Sequence, residues 1–262
     1  MPLPRADGQV ELVTLAPFSL CNPCHLVTFS LTFPLMSPRP KRQTAFTLIE
    51  LLVVISIIII LMGLLFPAFK GVQDQAKKTQ AKNDEQQIVT AVNAYYTEYG
   101  RMPVDDSKQG FDTLLGNPNG LYDNAYVFNI IRGIPDSTWN LSNRYNIRQV
   151  VYFNGPNAKD PDKPKSGFAT KDASSNGAPV KNGGYVDPWG NEYLVGLDSD
   201  YDGWTMDFIA YSDLIYRSVN GGAGTWPAVS GSCISTSWGK DNKWGTNGDG
   251  KYKGSDDVVS WQ

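Results

Sequence analysis

Leu51–Phe69, LLVVISIIIILMGLLFPAF, runs for 19 residues without a charge. At ~1.5 Å rise per residue, roughly 20 apolar helical residues cross a bilayer core, so this run predicts a membrane-spanning helix. The competing reading is a helix buried in a soluble core, but such helices rarely run this far uninterrupted. The rest of the chain is different in character. Mean hydropathy over the 262 residues is −0.30, 19% of residues are charged and 12% are aromatic. That aromatic content is too high for a disordered chain.

The flanks of the run set its orientation. Arg39, Lys41 and Arg42 precede it, and Lys70, Asp74, Lys77 and Lys78 follow it. Basic residues stay on the cytoplasmic side, which favours a cytoplasmic N-terminus, although Lys70, Lys77 and Lys78 reduce the asymmetry. Beyond Lys70 the pattern becomes amphipathic. Ile88, Val92, Tyr95 and Tyr99 follow i, i+4, i+7, i+11 spacing and line one helix face. Gly100 and Pro103 are stop signals. One helix from about Phe46 to Tyr99 is expected, on the order of 80 Å long. Its first half would lie in lipid and its second half on a soluble domain.

Residues 101–262 are rich in Gly, Asn, Asp, Ser and aromatics. Val150–Phe153, Tyr193–Leu197, Phe208–Tyr211 and Leu214–Val219 read as short strands. Lys159–Gly184, with Pro161, Pro164 and Pro179, reads as a long loop. A long helix followed by short strands is an α+β pattern.

An acid beside an apolar run needs a reason. Glu50 directly precedes Leu51, and a charge at the centre of a span costs roughly 2.5–3.5 kcal/mol, less near an end. Such a residue usually has a partner. Here the sequence resembles a known family. KRQTAFTLIELLVVISIIIILMGLLFPAF resembles the prepilin-type cleavage and methylation signature of type IV pilins and type II secretion pseudopilins. The resemblance implies that a prepilin peptidase cuts between Ala45 and Phe46 and methylates the new N-terminal Phe46. Gly is usual where this chain has Ala45. The acidic fifth mature residue falls on Glu50, and Pro67 falls where relatives carry a helix-loosening proline. Glu50 would then neutralise the α-amino group of a neighbouring subunit's Phe46.

The implied fold is pilin-like: a long N-terminal helix, transmembrane in its first half, packed on a small antiparallel β-sheet with long Gly/Asp-rich loops. The domains would be a removed leader over 1–45, a transmembrane and filament-core helix over 46–69, and a periplasmic globular domain over 70–262. A 45-residue leader is long, and Met36 offers an internal start giving the short basic leader MSPRPKRQTA. The expected localisation is the bacterial inner membrane, single-pass, and then the pseudopilus. The expected partners are the prepilin peptidase, copies of the chain, minor pseudopilins, the inner-membrane assembly platform and membrane lipid.

Other classes are disfavoured by what the chain lacks. A formal charge of −3 argues against nucleic acid as a partner. The single His25 leaves no His relay, and no nucleophile elbow or phosphate loop is present, so an enzyme is not expected. Cys21-Asn22-Pro23-Cys24-His25 matches the haem pattern C-x-x-C-H. It lies on the cytoplasmic, removed side of the span, so haem attachment is not expected. Without the leader, Cys233 is the sole Cys and the charge is that of 19 basic and 24 acidic residues, −5.

Two acidic stretches invite a cation. Asp198-Ser199-Asp200-Tyr201-Asp202-Gly203 has the D-x-D-x-D-G spacing that opens a calcium loop. The twelfth position is Ile209, so this is no EF-hand, and a plain Asp/Gly turn between strands is the alternative. Asp187-Pro188-Trp189-Gly190-Asn191 and the Asp/Gly-rich ending resemble the C-terminal half of major type II pseudopilins. In that subfamily a structural calcium near the C-terminus is common, which by motif position falls on Asp241 and on Asp256 or Asp257. A solvated acidic tail is the alternative there. The leading expectation is therefore a structural pseudopilus subunit. The alternatives are a type IV pilus subunit or minor pilin, and a membrane-tethered calcium-binding module that does not polymerise.

Overall fold

The structure is a computed structural model that describes residues 46–116, 123–135, 143–206, 214–218, 225–245 and 251–261. Within these, the side chains of Leu64, Pro67, Ala68 and residues 216–218 lie outside the description. The leader, with Ala45, Cys21, Cys24 and His25, and the expected strand Phe208–Tyr211 also lie outside it. The chain divides into two units, with the boundary between Val53 and Val54.

Helix α1 runs over Leu48–Tyr99, 52 residues, close to the expected bounds. A capping box starts it. The Thr47 N–H donates to Glu50 Oε2 at 2.9 Å, and the Glu50 N–H donates to Thr47 Oγ1 at 3.3 Å. Gly100 ends it in a left-handed conformation, φ +65°, with its N–H donating to Tyr96 O at 2.7 Å. Every side chain described from Phe46 to Gln73 is exposed, and the first buried one is Ala81. Among the described residues no helix is long and apolar enough to cross a membrane. The 51–69 run contains Leu64, Pro67 and Ala68, whose side chains are not described.

From Ala81 onward the helix buries one stripe: Ala81, Asp84, Glu85, Ile88, Ala91, Val92 and Tyr95. That is the 3.6-residue periodicity of a helix face against a core. Ile88, Val92 and Tyr95 are buried as expected, and Tyr99 packs partly buried against them. Asp84 and Glu85 also lie on that stripe, which apolar spacing alone does not reveal.

The stripe packs with a four-stranded antiparallel sheet, in order β1-β6-β10-β11. Its strands are β1 (Thr113–Leu115), β6 (Leu194–Leu197), β10 (Cys233–Ser237) and β11 (Val258–Val259). Leu115, Tyr193, Val195, Leu197, Cys233 and Val258 join the helix in one core. Helix α2 (Ala125–Ile131) adds Val127, Phe128, Ile130 and Ile131. Phe128, Phe153, Phe168 and Tyr185 pack ring against ring, with centroids 4.6 to 5.8 Å apart. A second antiparallel sheet, β7-β9-β8, consists of Trp204–Met206, Thr225–Ser230 and Ile215–Ser218.

Two expectations need correction. Val150–Phe153 is not a strand, because its backbone is used locally. The Val150 N–H donates to Asn146 Oδ1 at 3.1 Å, and the Tyr152 N–H donates to Ile131 O at the end of α2 at 2.9 Å. Nor is Lys159–Gly184 a structureless loop. β2 (Gly167–Phe168) pairs with β5 (Tyr185–Val186), and β3 (Ala173–Ser175) forms a hairpin with β4 (Ala178–Val180). Asn176 and Gly177, at φ +50° and +82°, form the two-residue turn of that hairpin. Asn-Gly is the strongest short hairpin signal, here flanked by polar rather than apolar residues. The other strands match: Tyr193–Leu197 contains β6, and Leu214–Val219 contains β8.

Asp187-Pro188-Trp189-Gly190-Asn191 owes its shape to one buried carboxylate. Asp187 Oδ1 accepts from the N–H groups of Trp189, Gly190 and Asn191 at 2.7 to 2.9 Å, and Oδ2 from the Ser237 hydroxyl at 2.5 Å. The turn is thereby tied to β10, with Trp189 in the core.

Candidate functional site

At the start of α1, Phe46 is 79% exposed, and Leu48, Ile49, Leu51 and Leu52 are also exposed. Glu50 is satisfied locally: its Oε2 accepts from the Thr47 N–H and, at 2.6 Å, from the Thr47 hydroxyl. The T-x-x-E spacing of Thr47-Leu48-Ile49-Glu50 is the sequence signal for this cap. Glu50 therefore holds the first turn of its own helix while its residue stays exposed. Pro67 lies in the helical backbone, and its side chain is outside the description.

The acidic loop 198–203 connects β6 to β7. Its register brings in a residue that spacing arguments miss. β1 and β6 pair antiparallel through Thr113↔Leu197, Leu114↔Gly196 and Leu115↔Val195. One step further along that register, Asp112 faces Asp198. One carboxylate oxygen from each of Asp112, Asp198 and Asp200 lies within 4.8 Å of the other two. Asp112 and Asp198 are buried, and Asp200 is partly exposed.

The N–H groups that bond them are backbone ones, and the Asp198 and Asp200 side chains also meet. Asp112 Oδ2 accepts from the Met206 N–H at 2.6 Å. Asp198 accepts from the Asp202 and Gly203 N–H groups at 3.2 and 2.9 Å, and Asp200 from the Asp202 N–H at 3.3 Å. Among the described residues Asp112 Oδ1 is buried with no hydrogen-bond partner. Burial and the neighbouring charges of Asp200, Asp198 and Asp202 push the Asp112 carboxyl up to about 7. Burial pushes Asp198 up to about 6, against the pull of the Gly203 N–H. Asp202 is not in the converging set, and its Oδ1 accepts from the Trp204 N–H at 2.8 Å.

Of the tail acids, Asp256 Oδ2 accepts from the Lys240 and Asp241 N–H groups at 2.6 and 3.0 Å. Asp257 Oδ2 accepts from the Gly245 N–H at 2.6 Å, and Asp241 Oδ1 from the Lys243 N–H at 2.9 Å. These residues share one turn-rich segment, but among the described residues the three-carboxylate convergence is at Asp112, Asp198 and Asp200.

Comparison with known proteins bears on both ends of the described helix. Residues 40–66 match the prokaryotic N-terminal methylation motif, and residues 69–152 match the family type II secretion system (T2SS), protein G. Type II secretion system core protein G of Pseudomonas aeruginosa is 38% identical over 80 residues, 30% of this chain and 55% of that protein. The protein of the same name from Klebsiella michiganensis is 30% identical over 103 residues, 38% of this chain and 71% of that protein. The type IV major pilin protein of Myxococcus xanthus is 34% identical over 79 residues, 30% of this chain and 36% of that protein. The chain spans little more than half the length of the core protein G relatives from Pseudomonas aeruginosa and Aeromonas hydrophila, 55% and 54%. No solved structure matches the chain. With the N-terminal motif, the helix that follows it and the core protein G relatives in agreement, the chain belongs to the type II secretion system protein G family.

Proposed function

We propose that this protein is a structural subunit of a type II secretion pseudopilus rather than an enzyme. Prepilin peptidase cuts the precursor between Ala45 and Phe46 and methylates Phe46. The apolar helix 46–69 anchors the subunit in the inner membrane with its globular domain in the periplasm. It then packs with the same helix of other copies and of minor pseudopilins on the assembly platform. The observation that carries this reading is the helix itself. Its apolar residues from Phe46 to Phe69 are exposed wherever their side chains are described, in a segment whose start matches the methylation motif. Apolar surface of that extent needs lipid or protein to cover it.

Co-expression with a prepilin peptidase tests the reading. The expected product is a chain beginning at N-methylated Phe46 that crosslinks to its own copies through the 46–69 helix. A chain that is neither cut nor crosslinked overturns it. The Myxococcus xanthus pilin favours a second reading, a type IV pilus subunit. Loss of protein secretion with surface pili intact, on deletion of the gene, supports the first reading against the second.

A structural calcium at Asp241, Asp256 and Asp257 belongs to the same proposal. What supports it is that Asp256 already gathers the backbone of 240 and 241, so a cation there would hold a Gly-rich tail to the strand before it.

A further inference from the structure

The antiparallel pairing of β1 with β6 does something unusual at its end. It sets two buried carboxylates, Asp112 and Asp198, opposite each other, and the next turn brings Asp200 to within 4.8 Å of both. Like charges directly opposite on neighbouring strands destabilise a sheet, and burial makes each charge more costly. Among the described residues, no Lys or Arg forms an ion pair with any of the three. A proton or a bound cation must offset this charge.

The oxygens are arranged to do more than repel. The N–H groups they accept from are all backbone ones, which position the carboxylates without neutralising them, and the Asp198 and Asp200 side chains also meet each other. Asp112 is 7% exposed, and its Oδ1 is buried with no hydrogen-bond partner among the described residues. A buried polar atom left unsatisfied costs about 1–3 kcal/mol, more for a charged group. Calcium binds oxygen at about 2.3–2.6 Å, so two ligands on opposite sides of an ion stand about 4.6–5.2 Å apart. Oxygens within 4.8 Å of one another suit that ion. Partial exposure of Asp200 leaves a route to solvent.

We propose that Asp112, Asp198 and Asp200 form a divalent-cation site of the calcium class. It clips the segment entering β1 to the β6–β7 loop. Its ligand set comes from two chain segments, with Asp112 taking the place that spacing alone gives to Asp202. The all-oxygen donors select a hard cation, and the irregular loop favours calcium over magnesium, which demands near-octahedral geometry. Bound there, the cation would stiffen the join between the sheet that carries the core and the β7-β9-β8 sheet. The Met206 N–H bond of Asp112 and the Gly110 N–H bond to Ser199 O at 2.7 Å already tie the same segments together. This site is separate from the proposed tail calcium and does not depend on filament assembly.

The test uses the full chain in detergent micelles, stripped with a chelator and titrated with terbium and then with calcium chloride. Terbium emission reports occupancy because Tyr201 lies in the loop and Trp204 directly follows it. Asp112→Asn and Asp200→Asn are expected to weaken the sensitised binding by about tenfold or more, at least the effect of losing an outer-shell partner. Both are also expected to abolish the rise in thermal midpoint that calcium gives through this site. Asp256→Asn is expected to leave this sensitised binding intact, and any binding it removes belongs to the tail. Asp200→Asn, at a partly exposed position, keeps the test valid if Asp112→Asn fails to fold. Unchanged terbium and calcium binding in either folded variant overturns the proposal. So does a wild-type chain whose only binding disappears with Asp256→Asn.

Discussion

Asp112 faces Asp198 one step beyond the last β1–β6 pair, Thr113↔Leu197, and both carboxylates are buried. In the presence of a chelator this juxtaposition is a cost. Asn at 112 keeps an oxygen to accept the Met206 N–H bond and removes a charge. Asp112→Asn should therefore stabilise the chelated protein by about 0.2–1 kcal/mol, the range of a cross-strand charge contact. Thermal unfolding in chelator checks the sign: a lower midpoint for the folded variant means that Asp112 is not repelled there.

At the start of α1, Glu50 closes a capping box with Thr47. A cap and a charge partner for Phe46 make different demands. Gln serves in a capping box as Glu does, but it carries no charge to pair with a neighbouring α-amino group. Glu50→Gln should keep membrane insertion and peptidase cleavage yet lose assembly. Glu50→Ala should lose assembly and also loosen the first turn of the helix. Counting crosslinked copies of each variant separates the roles: normal assembly of Glu50→Gln leaves only the cap.

Asp187 accepts five hydrogen bonds while fully buried, the fifth from the Asn191 side-chain amide at 3.3 Å. Asp187→Ala would leave three backbone N–H groups and the Ser237 hydroxyl without that acceptor, at about 1–3 kcal/mol for each group left unsatisfied. Loss of cooperative unfolding, or a collapse of the midpoint, is the expected result by circular dichroism. A near-native midpoint would mean that the turn at Trp189 and Gly190 stands without its acid.

Glu192 supplies a pH dependence. Burial, and then the charge of Asp123, push its carboxyl up to about 8 from 4.5. In that window the folded state holds a proton that the unfolded state has released. The stability it contributes is fully present below pH 4.5 and is lost as pH rises through about 8. Burial also raises Glu85 and Asp187, so they add to the same trend. Unfolding curves at pH 5, 7 and 9 (roughly spanning this window) should show falling stability, with a shallower fall in Glu192→Gln. Parallel curves for the two proteins would contradict the burial of this carboxyl.

Gly155 lies against the aromatic cluster, where an added Cβ would meet Tyr185 Cε2 at 2.7 Å and Phe153 Cε1 at 2.9 Å. Gly155→Ala should cost about 1–3 kcal/mol by overpacking. Thermal unfolding measures it, and an unchanged midpoint would show that these rings can yield.

The parts of this protein that the sequence determined are those governed by neighbours along the chain. An uncharged run, the stripe of Ile88, Val92 and Tyr95, and the stop at Gly100 read directly as one helix, because helical bonds and faces join residues three and four apart. The N-terminal signature reads the same way, and the family comparison agrees with it. Two further features are equally local, the Thr47–Glu50 box and the Asn176-Gly177 turn, the latter set among polar residues. Tertiary structure decided the rest. Val150–Phe153 has strand composition but no partner strand among the described residues, since Asn146 and α2 take the N–H groups of Val150 and Tyr152. Asp84 and Glu85 are polar residues on a buried stripe because of what α1 packs against. The acidic loop carries D-x-D-x-D-G spacing, yet its converging partner is Asp112, far back in the chain. Only strand register brings those two segments together, and register is a property of pairing between strands, not of either strand alone.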